Sequence, residues 1–315
     1  MPANPFGKLM KPRFPPCAVG IDSGGAAVVQ LDRARGGGFA VKRAASINLP
    51  TGLVHASFDE SNIDDPAELS RSLSDLLAAA GLLHQRKWSV TLPETSTRAT
   101  VLALDGVPGS RRELEEVLEW KIERSFGAPL SELRVSRDQL APDSQKQSRY
   151  LITAIRLSVL AEYEAIFASL GWQAGLILPR HAGEEQWLRN GHQGDGLLLT
   201  AHAEGFTAVL MRNNQPITVR AVFCEAEECD DELHRVLLFY RERSGSIGSG
   251  AGASVDRLLL VGDWLDKQRV VTIAQETLGV ALRPLNAADV GLVIPAGDLA
   301  FDTIAAPAGL ARLAW

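Results

Sequence analysis

The stretch CAVGIDSGGAAVVQLDR, residues 17–33, restricts the fold more than any other part of the chain. Two apolar runs flank a turn that carries an aspartate and two glycines, a pattern that predicts a tight β-hairpin. A further β-rich run follows at 39–49. A helix is predicted after it, because Asp65 suits an N-cap and Pro66 suits the first helical position. Since a strand, KWSVTLPE, follows this helix, the opening of the chain predicts an α/β fold.

Residues 95–157 are predicted to form an inserted unit. They begin with a strand, TRATVLALD, and continue with the helix SRRELEEVLEWKIERSF, in which Ser110 and Glu113 form a capping box. The segments LRVSRDQL and RYLITAIRL flank a polar turn, as the two strands of a hairpin would. A helix at 158–169 and a strand, WQAGLILP, then resume the α/β pattern.

A second lobe is predicted from residue 196 onward. Two apolar β runs meet there at Asn213 and Asn214, residues that tolerate the left-handed backbone angles of a tight hairpin. A helix containing DDELHRVLLFYRER, a Gly/Ser-rich connection and the strand VDRLLLVGD follow. The chain is thus predicted to contain a flexible basic arm (1–16), a first lobe (17–94 and 158–195), an inserted subdomain (95–157), a second lobe (196–300) and a C-terminal helix that returns to the first lobe (301–315).

Charge and composition narrow the classes of partner. The formal net charge is −6 with the two signs interspersed, which argues against nucleic acid as the main partner. Three cysteines, an odd number, predict free thiols in a reducing compartment and no disulfide framework. No apolar run approaches the roughly 20 residues that span a bilayer. The start of the chain lacks the hydrophobic core of a signal peptide, so we expect a cytoplasmic protein.

The first residues are basic, with Lys8, Lys11 and Arg13 among apolar side chains. Such a segment could touch an anionic membrane surface weakly. Its prolines oppose a continuous helix and favour a disordered arm instead, so contact with the membrane is expected to be indirect.

The segment VTLPETSTRATVLALDGVPGSRRELEEVLEWKIERSFGAPLSEL, together with DDELHRVLLFYRER, VDRLLLVGD and ETLGVALRPL, resembles the PilM family of type IV pilus assembly proteins. This family is a branch of the actin-like ATPases related to FtsA, and the cytoplasmic domain of GspL is a cousin. The resemblance implies an α/β, actin-like (ribonuclease H-like) fold of two lobes with a cleft between them. It also implies that 95–157 is an FtsA-type inserted subdomain. Compared with the family, which carries a further small subdomain at this point, the second lobe is expected to be trimmed. Here AVFCEAEECDD leads almost directly from the hairpin to the next helix.

In actin-like proteins two glycine-bearing hairpins clamp the phosphates of ATP, and the resemblance places vestiges of them here. The first hairpin retains its turn residues: Asp22, Ser23, Gly24 and Gly25. At the second, the family pattern Asp-x-Gly is replaced by Thr200, Ala201 and His202, so that a hydroxyl stands where a carboxylate would organise the metal. A slipped register would instead put Glu204 and Gly205 in that turn, with Thr207 as the polar residue.

The loop that contacts adenosine in the family also departs from its pattern, with Gly262, Asp263 and Trp264 in place of three glycines. A tryptophan at this point would crowd the base and the ribose. These departures predict no catalytic residue, no metal site, no hydrolysis and no cofactor beyond weak binding of ATP and magnesium. Histidines without metal-ligand spacing and an acidic run at 225–232 read more simply as surface groups, although His181 and His192 could flank a metal.

The resemblance implies that the protein captures the cytoplasmic N-terminal peptide of a PilN-like inner-membrane protein near the inserted subdomain. Arg98, Trp120, Arg124 and Phe126 are the candidate contacts, because tryptophan and arginine are enriched where partners dock. The alternative for Trp120 is a helix buried on two sides.

The expected function is an adaptor recruited to the cytoplasmic face of the inner membrane, with other pilus platform and motor components as further partners. Two alternatives remain: an active actin-like ATPase or small-molecule kinase, and an FtsA-like filament-forming protein. The residues do not separate a pilus system from a type II secretion system.

Overall fold

The computed structural model describes residues 14–104, 106, 109–143, 146–189, 194–246, 255–297 and 299–315. Its strands are β1 Cys17–Ile21, β2 Gly25–Arg33, β3 Phe39–Asn48, β4 Lys87–Leu92, β5 Arg98–Ala103, β6 Leu133–Leu140, β7 Arg149–Arg156, β8 Gln173–Pro179, β9 Asp195–His202, β10 Gly205–Arg212, β11 Gln215–Phe223, β12 Val255–Val261 and β13 Leu292–Val293. Its helices are α1 Pro66–Ala79, α2 Arg111–Phe126, α3 Leu157–Ser169, α4 Arg180–Glu184, α5 Cys229–Ser246, α6 Lys267–Leu278 and α7 Phe301–Ala311.

The first sheet has the strand order β13-β3-β2-β1-β4-β8. Strands β1 and β2 form the predicted antiparallel hairpin, while β4 pairs with β1 in parallel. Val19 and Ile21 of β1 face the core beneath α1 and α3, and Ala18 faces the core beneath α7. Because both faces of the sheet are covered, β1 has an unbroken apolar sequence instead of an alternating one.

The second sheet has the order β11-β10-β9-β12. Leu197 and Leu199 of β9 pack with α5 and α6, and Leu198 points to the opposite core, which the first sheet shares. The turn between β10 and β11 uses Asn213 and Asn214 with φ of 51° and 63°, so the predicted hairpin is confirmed.

The third sheet, β5-β7-β6, lies between residues 98 and 156 and is covered by α2. Ser110 accepts a hydrogen bond from the Glu113 N–H, as the capping box predicts, but the Glu113 carboxylate accepts from the Gly109 N–H instead of from Ser110. The free edge of β5 lies beside β11, with Cα atoms of the two strands within 8 Å of each other, so this sheet contacts the second lobe.

The predicted end of the second lobe at residue 300 is wrong. Leu292–Val293 pairs in parallel with β3, so the chain has rejoined the first sheet before α7 begins. Two residues of β-pairing carry little sequence signal, which is why this return was missed.

Helix α5 also extends into the Gly/Ser-rich segment predicted at 244–254, of which 247–254 lie outside the described residues.

The predicted basic arm lies outside the described residues as far as residue 13. Among the helices of the described part, none is both long and apolar enough to cross a membrane. All three cysteines are free, as the sequence predicts.

Candidate functional site

A cleft of about 450 Å³ lies between the β1–β2 turn and the β9–β10 turn. Asp22, Gly24 and Gly25 line it from the first sheet, and His202 and Gly262 line it from the second. Ser23 lies outside this lining, and Thr200 is fully buried behind the wall. Trp264 also lines the cleft.

The first turn is held by its own backbone. The Asp22 N–H donates to the Gly25 carbonyl (2.8 Å), and the Ser23 N–H donates to Asp22 Oδ1 (2.9 Å). A Cβ at Gly25 would lie 2.8 Å from the Ile47 carbonyl oxygen, so this position must be glycine. The second turn consists of Ala203 and Glu204, so Glu204 does lie in the turn while Gly205 begins β10.

Arg180, which sequence analysis missed, connects the two hairpins. Its Nη1 lies 2.5 Å from Asp22 Oδ2 and donates to the Ala201 carbonyl (3.2 Å), while its Nε donates to Glu184 (2.8 Å). The side chain is 13% exposed. Burial acts to lower the pKa of Arg180, but the carboxylates of Glu184 and Asp22 outweigh it and raise that pKa. The guanidinium is therefore charged at physiological pH, and it contacts the carboxylates of both Glu184 and Asp22.

The Thr200 hydroxyl also has a hydrogen-bond partner inside the protein. It donates to the buried carboxylate of Glu184, which also accepts from Arg180. Burial raises the pKa of Glu184, and its hydrogen bonds to Arg180 and Thr200 oppose that rise. The hydroxyl that replaces the expected carboxylate is thus used inside the protein, away from the cleft.

His181 follows Arg180 on α4 and forms a buried pair with Glu94. Nδ1 of His181 lies 2.5 Å from Glu94 Oε1, and the His181 backbone N–H donates to Oε2 (2.9 Å). Burial acts to raise the pKa of Glu94, but the charge and hydrogen bonds of His181 lower it to about 2. Burial likewise acts to lower the pKa of His181, and Glu94 reverses this and raises it. His181 is therefore a buried ion-pair partner of Glu94 instead of the surface group expected, and His192, considered with it for a metal, lies outside the described residues.

His202 is 8% exposed, and within the described residues neither ring nitrogen has a hydrogen-bond partner. Burial lowers the pKa of His202, so the ring is neutral near neutral pH. Its centroid lies 6.0 Å from that of Phe223.

A larger groove of about 1220 Å³ lies beside the cleft, between the 49–60 segment, β5, the end of α2 and β11. Arg98 and Phe126 both line it. The Arg98 guanidinium donates to the Phe126 carbonyl (2.9 Å) and to Asp59 (3.0 Å), and it covers the Phe58 ring at 4.3 Å. The groove therefore has a cation fixed in place beside two buried aromatic side chains, Phe58 and Phe126. Glu94, His181 and Ser23 lie among its other lining residues.

Trp120 and Arg124 do not line the groove. Trp120 is 55% exposed, and the Arg124 guanidinium lies 5.3 Å from its ring centroid. The helix is thus not buried on the Trp120 side, and the four candidate contacts separate into two pairs on different faces of the inserted subdomain.

Arg180, Glu184 and Glu94 were absent from the sequence prediction, and His181 was considered there only as a possible metal ligand. The spacing of Arg180 and Glu184, four residues apart on a helix, is a detectable signal for their pairing. Nothing local indicates the pairing of Arg180 with Asp22 or of His181 with Glu94. In the described part of the chain, no three His, Cys, Asp or Glu side chains come together as a metal site.

The fold is similar to that of a chain in the PilM-PilN type IV pilus biogenesis complex, with a TM-score of 0.75 and 19% identity over 96% of this chain and 99% of that chain. A Bacteroides thetaiotaomicron protein with an actin-like ATPase fold has a TM-score of 0.48 and 11% identity, over 92% of this chain and 93% of its own. EpsL is an inner membrane component of the Vibrio cholerae type II secretion system. Its cytoplasmic domain has a TM-score of 0.47 and 11% identity, over 95% of this chain and 93% of its own.

No family model and no curated protein matches the chain. The similarity to the chain of the PilM-PilN complex, at 19% identity, establishes the fold. The predicted α/β fold is thereby confirmed as the one found in that chain.

Proposed function

We propose that the protein is a non-hydrolysing adaptor that binds the cytoplasmic N-terminal peptide of a PilN-like inner-membrane protein. It would act at the cytoplasmic face of a type IV pilus or type II secretion platform and contact other platform and motor components. The PilM-like fold supports a role in such a platform, since the similar chain comes from the PilM-PilN type IV pilus biogenesis complex.

The ion pair of Arg180 with Asp22 carries the proposal that the cleft does not hydrolyse ATP. In an actin-like site a free carboxylate would organise magnesium and water. Here the Asp22 carboxylate contacts a guanidinium that a second carboxylate, Glu184, also holds in place. A magnesium ion would have to displace a charged, largely buried side chain, which is costly.

The rest of the cleft also fits magnesium–ATP poorly. The Thr200 hydroxyl is bound to Glu184, and Trp264 lines the cleft at the loop that the family resemblance assigns to adenosine. Asp263 adds negative charge to the lining, which disfavours a triphosphate without its metal, whereas Asp302 is paired with Lys267 (2.8 Å). We therefore derive no catalytic step in this cleft.

The groove supports the proposed peptide site. It lies against the inserted subdomain, is large enough for a short extended peptide, and offers the Arg98 guanidinium, which lies over the buried ring of Phe58. A guanidinium already held by Asp59 and by the Phe126 carbonyl is pre-organised to contact a peptide carbonyl or carboxylate.

Two titrations test the two halves of the proposal. Calorimetry with MgATP, combined with a phosphate-release assay, should show no hydrolysis above the blank; turnover would restore the ATPase or kinase alternative. Fluorescence anisotropy with the labelled N-terminal peptide of the cognate PilN-like protein should show saturable binding. Absence of binding to any such pilus or secretion peptide would contradict the adaptor, and sedimentation with and without ATP tests the filament alternative.

A further inference from the structure

Phe223 stands at one end of the groove with 63% of its side chain exposed. Trp264, 39% exposed, lies nearby, because its indole N–H donates to Cys229 Sγ (3.3 Å) and that sulfur lies 2.7 Å from Sγ of Cys224, the residue after Phe223. Exposed aromatic side chains next to a groove are typical of surfaces that a partner covers.

The chain around Phe223 is acidic. Glu204 lies in the β9–β10 turn, lines the groove, and accepts through its carbonyl from the Cys224 N–H (3.1 Å). Glu225, Glu227 and Glu228 follow Phe223 and are exposed. Within the described ranges none of these four carboxylates takes part in an ion pair. We call Phe223, Glu204, Glu225, Glu227 and Glu228 the acidic end of the groove: Phe223 and Glu204 line the groove, and the other three glutamates follow Phe223 in the chain.

The cations near this surface do not neutralise it. Arg269 is paired with Asp230 (2.5 Å), and Arg235 is paired with Glu232. Arg220 of β11 is exposed, but the groove is lined by the odd-numbered residues of that strand. Because side chains alternate along a strand, Arg220 projects from the opposite face of the sheet.

We infer that the acidic end binds a basic, extended segment of the membrane-anchored partner, with Phe223 packing against an apolar or aromatic residue of that segment. This inference rests on the proposed function and adds the chemistry of the partner to it. Segments on the cytoplasmic side of a membrane span are rich in Lys and Arg. Such a segment has the charge that complements the acidic end, and electrostatic complementarity selects partners and accelerates their association.

The test uses two labelled probes and three variants of the full chain. One probe is the N-terminal peptide of the cognate PilN-like protein, and the other is an oligolysine peptide that ends in phenylalanine. The first variant, Glu225→Gln/Glu227→Gln/Glu228→Gln, neutralises the acidic end. The second, Asp75→Asn/Asp138→Asn/Glu164→Gln, removes the same number of exposed carboxylates elsewhere. The third is Phe223→Ala, and circular dichroism verifies that each variant is folded.

In the first variant, the affinity for both probes should fall about tenfold at about 50 mM salt. At about 500 mM salt, where screening is strong, it should fall by less than about twofold. Phe223→Ala should lower the affinity for both probes at either salt concentration, and the control variant should bind both probes as the wild type does. Equal losses in the first variant and the control would overturn the inference while peptide binding, and with it the adaptor, stands. If oligolysine discriminates between the variants but the PilN-like peptide does not bind, the adaptor fails and the acidic end remains a site for a different basic segment.

Discussion

The Arg180 guanidinium contacts the Asp22 carboxylate at 2.5 Å across 158 positions of sequence. The same guanidinium reaches the Ala201 carbonyl at the end of the second-lobe hairpin. One protein side chain therefore joins the two turns that face each other across the cleft. Its neighbour on α4, His181, faces the groove and pairs with Glu94. Helix α4 therefore supplies one buried cation to the cleft and another to the groove.

Replacing Arg180 with Met should destabilise the fold by about 3 kcal/mol, because Glu184 and Asp22 are left without their shared cation. Urea denaturation measures the change in the free energy of unfolding. Arg112→Met is the matched control, since its pair with Glu116 is exposed and should contribute less than about 1 kcal/mol. Equal effects of the two substitutions would show that Arg180 does not join the lobes.

Stability should depend on pH through the Glu94–His181 pair. The pKa of Glu94 falls on folding from its ordinary 4.5 to about 2, so its contribution is complete above pH 4.5 and is lost as pH falls toward 2. The pKa of His181 rises above its ordinary 6.5, so its contribution is complete below pH 6.5 and is lost as pH rises through the raised value. The difference in unfolding free energy between the wild type and His181→Gln should therefore be largest between pH 4.5 and 6.5.

The double variant Glu94→Gln/His181→Gln removes both charges and should lose this pH dependence. His202, whose pKa is lowered by burial, is present in every chain compared, so its opposite contribution cancels in the difference. An exposed histidine, His84, provides a further control: His84→Gln should leave the profile unchanged. A His181→Gln profile parallel to the wild type would contradict the ion pair.

Gly309→Ala should destabilise the protein by about 3 kcal/mol or more, because helix α7 packs directly on α4. A Cβ at residue 309 would lie 1.9 Å from the Gly183 carbonyl oxygen, so the two helices would have to separate. Gly175→Ala is the control, since nothing lies within 4 Å of its Cβ position. Thermal unfolding compares them; a Gly309→Ala chain as stable as the control would mean that α4 is not held by this contact.

Arg98→Ala should weaken binding of the PilN-like peptide about tenfold, because it removes the cation fixed above Phe58 in the groove. Trp120→Ala should change the same affinity by less than about twofold, since Trp120 lies outside the groove. Anisotropy titrations measure both, and melting curves verify that Arg98→Ala is folded. The reverse ranking would place the peptide on the outer face of α2 instead.

Much of the local structure could be predicted because its causes are local. Asp65 caps α1 by accepting from the Ala67 and Glu68 N–H groups, and Asn213 with Asn214 forms the β10–β11 turn. The apolar runs of β1 and β9 reflect burial on two faces, which a sequence records directly. In the candidate site, the turn residues around Asp22 and the substitutions at Thr200 and His202 were visible in the same way.

The sequence by itself determined most of the segments that become strands and helices, and which side chains stand in the two hairpin turns, since hydrogen bonds and apolar periodicity act over a few residues. Only the tertiary structure decided that Arg180 meets Asp22, that His181 meets Glu94 and that β13 rejoins the first sheet. These pairings depend on how the sheets and α4 pack in space. Coulomb attraction between buried charges acts over distance and leaves no spacing rule in the chain.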